Sequence, residues 1–105
     1  MISTAIWATG WVNQLMSQIS HYQQMTADAN GEKGRISLLL MQLEGVDGAS
    51  NPQLFAWIKT NLDHLKKQLL SLDKRINLLV MHTELLEKQK EQVEKMREKN
   101  LQQQS

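Results

Sequence analysis

The 105-residue chain carries a formal net charge of only +1, with 12 basic residues interleaved among 11 acidic ones. This balance excludes a general nucleic-acid binder, which needs a basic surface. The absence of Cys excludes disulfides and thiolate sites, and 41% hydrophobic residues with a single Pro indicate one small domain, residues 1–105.

The first predicted element is an amphipathic helix over residues 4–29. Apolar residues recur there at helical spacing, at Ala8, Val12, Leu15, Ile19 and Tyr22. Among positions 1–31 Asp28 is the single charged side chain. The exposed face of this helix is therefore expected to be neutral and rich in Gln, Ser and Thr.

Trp7 and Trp11 lie one helical turn apart on this helix. Their amphipathic rings suit either a partner's groove or a membrane interface. Interfacial helices usually carry Lys or Arg on the polar face, and this helix has none. We therefore predict that the pair anchors a protein partner or packs against Trp57, with membrane contact as the disfavoured alternative.

A break is predicted at residues 30–34, because Asn30, Gly31 and Gly34 adopt the left-handed conformations that end helices. A short second helix over residues 35–44 follows. A strand is the lesser alternative, because Leu and Met outnumber β-branched residues. This segment is apolar nearly all round, which predicts burial on most sides or against several chains.

Residues 45–51 are predicted to form a turn. It contains two Gly, and Asn51 followed by Pro52 is typical of an N-cap with proline at the first helical position. A long third helix over residues 52–101 then runs back, with a disordered tail at 102–105. A broken first arm of roughly 55 Å would leave the end of the long helix free.

The long helix carries a heptad seam, in which apolar residues alternate at steps of three and four. A helix of ~75 Å is not stable alone, so this seam must be buried against other helices. The predicted interface on the seam comprises Ile58, Leu62, Leu65, Leu69, Leu72, Ile76, Leu79, Leu86 and Val93.

A second set of apolar residues lies off the seam, where one partner helix cannot reach it. This second predicted interface comprises Leu70, Leu78, Met81 and Leu85. It requires further neighbours from the first arm, from other copies or from a different protein. The elements together predict an all-α fold, an antiparallel helical hairpin with a broken N-terminal arm and one long C-terminal coiled-coil helix.

Enzyme activity is not expected from these residues. His21, His64 and His82 are the only credible ligands, and the last two lie ~27 Å apart along one helix, so they cannot share a metal. Paired carboxylates, a Ser and His arrangement and a glycine-rich phosphate loop are not found. We expect partly exposed histidines, no catalytic residues, no metal and no cofactor.

The turn sequence from Ser50 to Ala56, followed by Lys59, Leu62 and Leu65, resembles the turn and second-helix start of type III secretion needle proteins. Those are small, cysteine-free helical hairpins that polymerise. The neutral N-terminus also resembles the uncleaved export signals of that system, and the long helix is similar to those of its filament and translocator proteins. Type VII secretion substrates are similar in size, but their Trp-x-Gly turn is absent. The resemblance implies a bacterial virulence-associated structural protein.

Three functions follow as hypotheses. The first is a self-assembling or secreted subunit of a bacterial secretion apparatus, the second a cytoplasmic coiled-coil chaperone or adaptor, and the third a membrane-interacting amphipathic protein. The expected partners are further copies or another helical protein, and no nucleic acid. Because the N-terminus lacks a basic segment followed by an apolar core, we expect export from the bacterial cytoplasm, or display at the cell surface, without a cleaved signal peptide.

Overall fold

The computed structural model describes residues 2–47 and 51–104, and the side chains of residues 6–47 and 51–101. It contains two helices, α1 over Ile2–Glu44 and α2 over Pro52–Gln104. At 1.5 Å per residue they are ~65 Å and ~80 Å long. The predicted all-α antiparallel helical hairpin is confirmed.

The predicted break at residues 30–34 is wrong, because α1 continues through it for 43 residues. Neither Gly31 nor Gly34 adopts a positive φ. Glycine in a helix costs about 1 kcal/mol relative to Ala, and burial of Ala29 and Ile36 on either side offsets that cost. The predicted helices at 4–29 and 35–44 are therefore parts of one helix.

The turn was predicted correctly where the structure describes it. Helix α1 ends at Glu44, and the Gly45 N–H donates to the Met41 carbonyl at 3.2 Å. The Asn51 side-chain oxygen accepts hydrogen bonds from the N–H groups of Gln53 at 3.0 Å and Leu54 at 3.2 Å. Asn51 is thus the N-cap of α2, with Pro52 as its first residue. The part of the predicted turn at residues 48–50 lies outside the described residues.

The predicted disordered tail is also wrong for residues 102–104, because α2 continues to Gln104. Gln is a good helix former, and neither Gly nor Pro interrupts the sequence after Pro52. Ser105 lies outside the described residues. The long helix is therefore three residues longer than predicted at its C-terminal end.

The contacts within the chain group into two units, and α1 and α2 contribute to both. The first unit comprises Met1–Thr26 and Leu78–Ser105, and the second comprises Ala27–Asn77. The core of the first unit is a cluster of buried residues flanked by the half-buried Tyr22. This cluster contains Ala8, Val12, Leu15, Ile19, Leu86 and Val93.

Helix α1 covers α2 as far as Val93, which is beyond the first two-thirds that the sequence predicted. Val93 is only 2% exposed and belongs to the same cluster as Ala8 and Val12. An unbroken α1 is about 10 Å longer than the broken arm assumed from the sequence, so it reaches this part of α2. The second unit buries Ala29 and Ile36 of α1 with Ile58 and Leu72 of α2.

Candidate interaction surfaces

The heptad seam of α2 is the inner face of the hairpin. Five of its nine predicted interface residues are buried, namely Ile58, Leu72, Leu79, Leu86 and Val93. The other four are half-buried, namely Leu62, Leu65, Leu69 and Ile76. Within each unit α1 is the element that covers this seam. The burial that was predicted for the seam is therefore provided by α1 of the same chain.

Polar residues in the seam are satisfied locally. The Thr83 hydroxyl donates to the Leu79 carbonyl at 2.8 Å, so its half-buried oxygen has a partner within α2. Lys90 forms an ion pair with Glu94, four residues on, at 3.7 Å. Both groups can therefore occupy heptad positions without leaving a polar atom unpaired, which would cost about 1–3 kcal/mol.

The four residues of the second predicted interface are all more than half exposed. In the first unit, Leu78, Met81 and Leu85 recur at steps of three and four, so they share one side of α2. We call these three residues the outer stripe. Leu70, in the second unit, is exposed in the same way. The hairpin leaves these side chains uncovered although it has closed its seam.

Trp7 and Trp11 pack on each other at the surface of the first unit. Their ring centroids are 4.9 Å apart, with the rings tilted by 57°. Trp7 is 55% exposed and Trp11 36% exposed. Neither indole belongs to the buried cluster of this unit. Trp57, the alternative packing partner named from the sequence, belongs to the second unit.

The sequence did not reveal a groove beside the turn, in the second unit. We call it the turn groove; its volume is about 340 Å³. It is lined by Leu39, Gln42, Leu43 and Val46 on one side and by Trp57, Asn61 and Leu65 on the other. The sequence did contain a signal for this groove. The predicted turn brings residues 39–46 alongside 57–65, and these segments contain the apolar Leu39 and Val46 and also Trp57, which lies off the seam of α2.

The histidines occupy the surface in the described structure. His82 lies against Tyr22, with ring centroids 4.4 Å apart, and His21 lies at the edge of the same tyrosine at 5.9 Å. The His64 imidazole is hydrogen-bonded to the Gln68 amide at 3.2 Å. Among the described residues, no three His, Asp or Glu side chains come together in a way that could hold a metal ion.

Ion pairs lie at the surface of both units. In the second unit the Lys33 ammonium is 2.6 Å from the Asp73 carboxylate, linking α1 to α2. Both side chains are more than 40% exposed, so the pair contributes about 0–1 kcal/mol. In the first unit Lys95 lies 3.6 Å from Glu91, one turn earlier in α2. The first of these contacts favours one pairing of the helices, and both contribute little to stability.

Neither helix contains, within the described residues, a segment of the length and apolarity needed to cross a membrane. In comparisons with family models, with curated proteins and with solved structures, none matches this chain.

Proposed function

We propose that this protein is a non-enzymatic helical interaction subunit that assembles with further copies or with another helical protein. The observation that carries this proposal is the outer stripe. Leu78, Met81 and Leu85 remain more than half exposed after α1 has covered the seam of α2. Contiguous exposed apolar residues of this kind mark interaction sites.

The energetics favour a helical partner. Full burial of a Leu or Met side chain is worth about 1.5–3 kcal/mol, so covering the exposed parts of three such residues would contribute several kcal/mol. Their spacing of three and four matches the ridges that one helix presents to another. A second helix laid along this side of α2 would bury all three side chains together.

We further propose that the assembly belongs to a bacterial secretion apparatus, in which the protein would be exported without a cleaved signal peptide. This part of the proposal is supported by the resemblance of the turn and the start of α2 to needle proteins. A capped start at Asn51 and a hairpin of two helices are features that such subunits share.

The proposal is tested by native mass. We expect the wild-type chain to sediment above its monomer mass of 12.1 kDa at about 100 μM, where a contact with a micromolar Kd is populated. Leu78→Glu combined with Leu85→Glu should lower this mass with unchanged helicity. Gln92→Glu adds a charge one heptad beyond Leu85 and should leave the mass unchanged.

One result would contradict the proposed function. A wild-type chain that stays at 12.1 kDa at this concentration, and that binds no helical protein encoded beside it, would refute the proposal. Equal effects of the outer-stripe double variant and Gln92→Glu would show that charge, and not the stripe, controls the mass.

Two competing functions have their own tests. A cytoplasmic chaperone or adaptor would co-purify with one secretion protein at fixed stoichiometry. A membrane-interacting protein is favoured by the exposed Trp7 and Trp11 pair alone. It requires a blue shift of tryptophan fluorescence on addition of lipid vesicles, and the shift must disappear when Trp7 and Trp11 are both replaced by Gln.

A further inference from the structure

We propose that the turn groove is a self-association site, in which the groove of one chain packs against the same groove of a second copy about a two-fold axis. The inference deepens the proposed function, since it also requires that the chain acts by binding helices. It concerns a different surface in the other unit, so it can fail while the outer stripe is still an interface.

The groove combines a hollow with exposed apolar side chains. Leu39, Val46 and Trp57 line it and are 52%, 46% and 57% exposed. A two-fold contact needs both features on one surface, because each copy supplies the projecting residues that enter the other copy's hollow. Trp57 is the natural anchor, because tryptophan is enriched among the residues that dominate interface energies.

The charge of the surface favours a second copy as the occupant. In a two-fold contact the same patch meets itself, so charged groups near the axis approach groups of their own sign. All seven residues that line the turn groove are uncharged. The same side of α2 continues through His64 and Gln68, which are hydrogen-bonded to each other.

A groove in the first unit provides the contrast. Its volume is about 530 Å³, and Glu87, Glu91 and Glu94 contribute to its lining together with Lys90. Placing that groove against its own copy would bring several carboxylates together and would cost free energy. Neutrality is therefore a property of the turn groove and not of every groove between these helices.

The polar atoms of the turn groove suit self-association as well. Gln42 and Asn61 carry amides, each with both a donor and an acceptor, so a copy of either can satisfy the other across a two-fold axis. The Asn61 amide nitrogen donates to the Trp57 carbonyl at 2.8 Å, which leaves the amide oxygen as the acceptor for a partner. Burial of these amides would thus require no charged group from the partner.

The test compares neighbouring residues with similar exposure. Leu39→Glu places a charge in the groove, whereas Leu38→Glu places it on the adjacent residue, which is 56% exposed and does not line the groove. In sedimentation equilibrium of the Leu78→Glu, Leu85→Glu background, where the outer stripe no longer contributes, we expect Leu39→Glu to raise the Kd of self-association by about 30-fold or more, and Leu38→Glu to change it less than about threefold. Circular dichroism should show equal helicity for both variants.

A second pair guards against a folding artefact. Trp57→Ala removes the proposed anchor, and Phe55→Ala removes an aromatic ring that is 58% exposed on the same helix but outside the groove. Of these two variants, we expect only Trp57→Ala to weaken self-association, by about 30-fold. Equal effects within either pair would overturn the inference, and so would a wild-type chain that is monomeric at about 100 μM.

The outcomes also separate this inference from the proposed function. If Leu78→Glu with Leu85→Glu changes the native mass and Leu39→Glu does not, the turn groove is not the site and the outer stripe is an interface. If wild-type chain binds a different helical protein through the turn groove but does not self-associate, the inference is refuted and the interaction function stands.

Discussion

Single residues decide where each helix begins and continues. The Asn51 side-chain oxygen accepts hydrogen bonds from two N–H groups of the first turn of α2. This cap follows directly from the residue types Asn and Pro. The glycines at 31 and 34 carry a weaker signal. Their conformational freedom permits a break but does not impose one, so burial of neighbouring side chains decides the outcome.

At this scale the glycines give a direct prediction. Gly31→Ala and Gly34→Ala should each raise the free energy of unfolding by about 1 kcal/mol, because Ala has the higher helix propensity. A Cβ atom at either position would meet no atom within 4 Å beyond the neighbouring backbone of α1 itself. Urea unfolding followed by circular dichroism measures the effect.

Gly45→Ala is the control. Gly45 follows the last residue of α1, so the higher helix propensity of Ala does not stabilise the helix at this position. We expect a change below about 0.5 kcal/mol there. If Gly31→Ala and Gly34→Ala lowered stability, the continuous course of α1 would be contradicted.

The two helices follow from their apolar patterns to different extents. The stripe of Ala8, Val12, Leu15 and Ile19 and the heptad seam of α2 were predictable, because burial selects residues at helical spacing. The continuity of α1 was not predictable, because it depends on packing across residues 29–36. The turn groove was missed because its shape depends on how the side chains of residues 39–46 and 57–65 pack once the turn has brought them side by side.

A matched pair on α2 tests which side of the helix is structural. Leu72 is 8% exposed in the seam, and Leu70 is 58% exposed two residues earlier in the same unit. Leu72→Glu should lower the free energy of unfolding by about 3 kcal/mol or more, because it buries an unpaired charge. Leu70→Glu should change it by less than about 0.5 kcal/mol.

Thermal unfolding of both variants in monomeric samples measures this difference. A similar loss of stability in the two variants would mean that both sides of α2 are buried in the folded chain, and the assignment of the seam as the inner face would be wrong.

For the whole molecule, closure of the seam within one chain separates folding from assembly. In an obligate coiled-coil dimer the helices would melt on dilution, because their burial would depend on a second chain. Here α1 supplies that burial, with Val93 at 2% exposed near the far end of the seam. The chain can therefore fold first and associate afterwards through its outer surfaces.

This order predicts a concentration-independent melting temperature for a triple variant that carries a charge on both outer surfaces, Leu39→Glu with Leu78→Glu and Leu85→Glu. Circular dichroism should give the same Tm, within error, across about a hundredfold range of protein concentration. Wild-type chain, which we expect to associate, should show a Tm that rises with concentration. A Tm that falls on dilution of this triple variant would mean that the seam is buried between chains.

The neutral lining of the turn groove has a consequence for the conditions under which copies would join. Contacts between uncharged surfaces are scarcely weakened by added salt, whereas those between ionised side chains are screened over about 10 Å at 0.1 M. Burial of leucine and tryptophan weakens on cooling instead. Association through Leu39 and Trp57 would therefore persist at high salt concentration and weaken at low temperature. Temperature would thus affect its Kd more strongly than ionic strength.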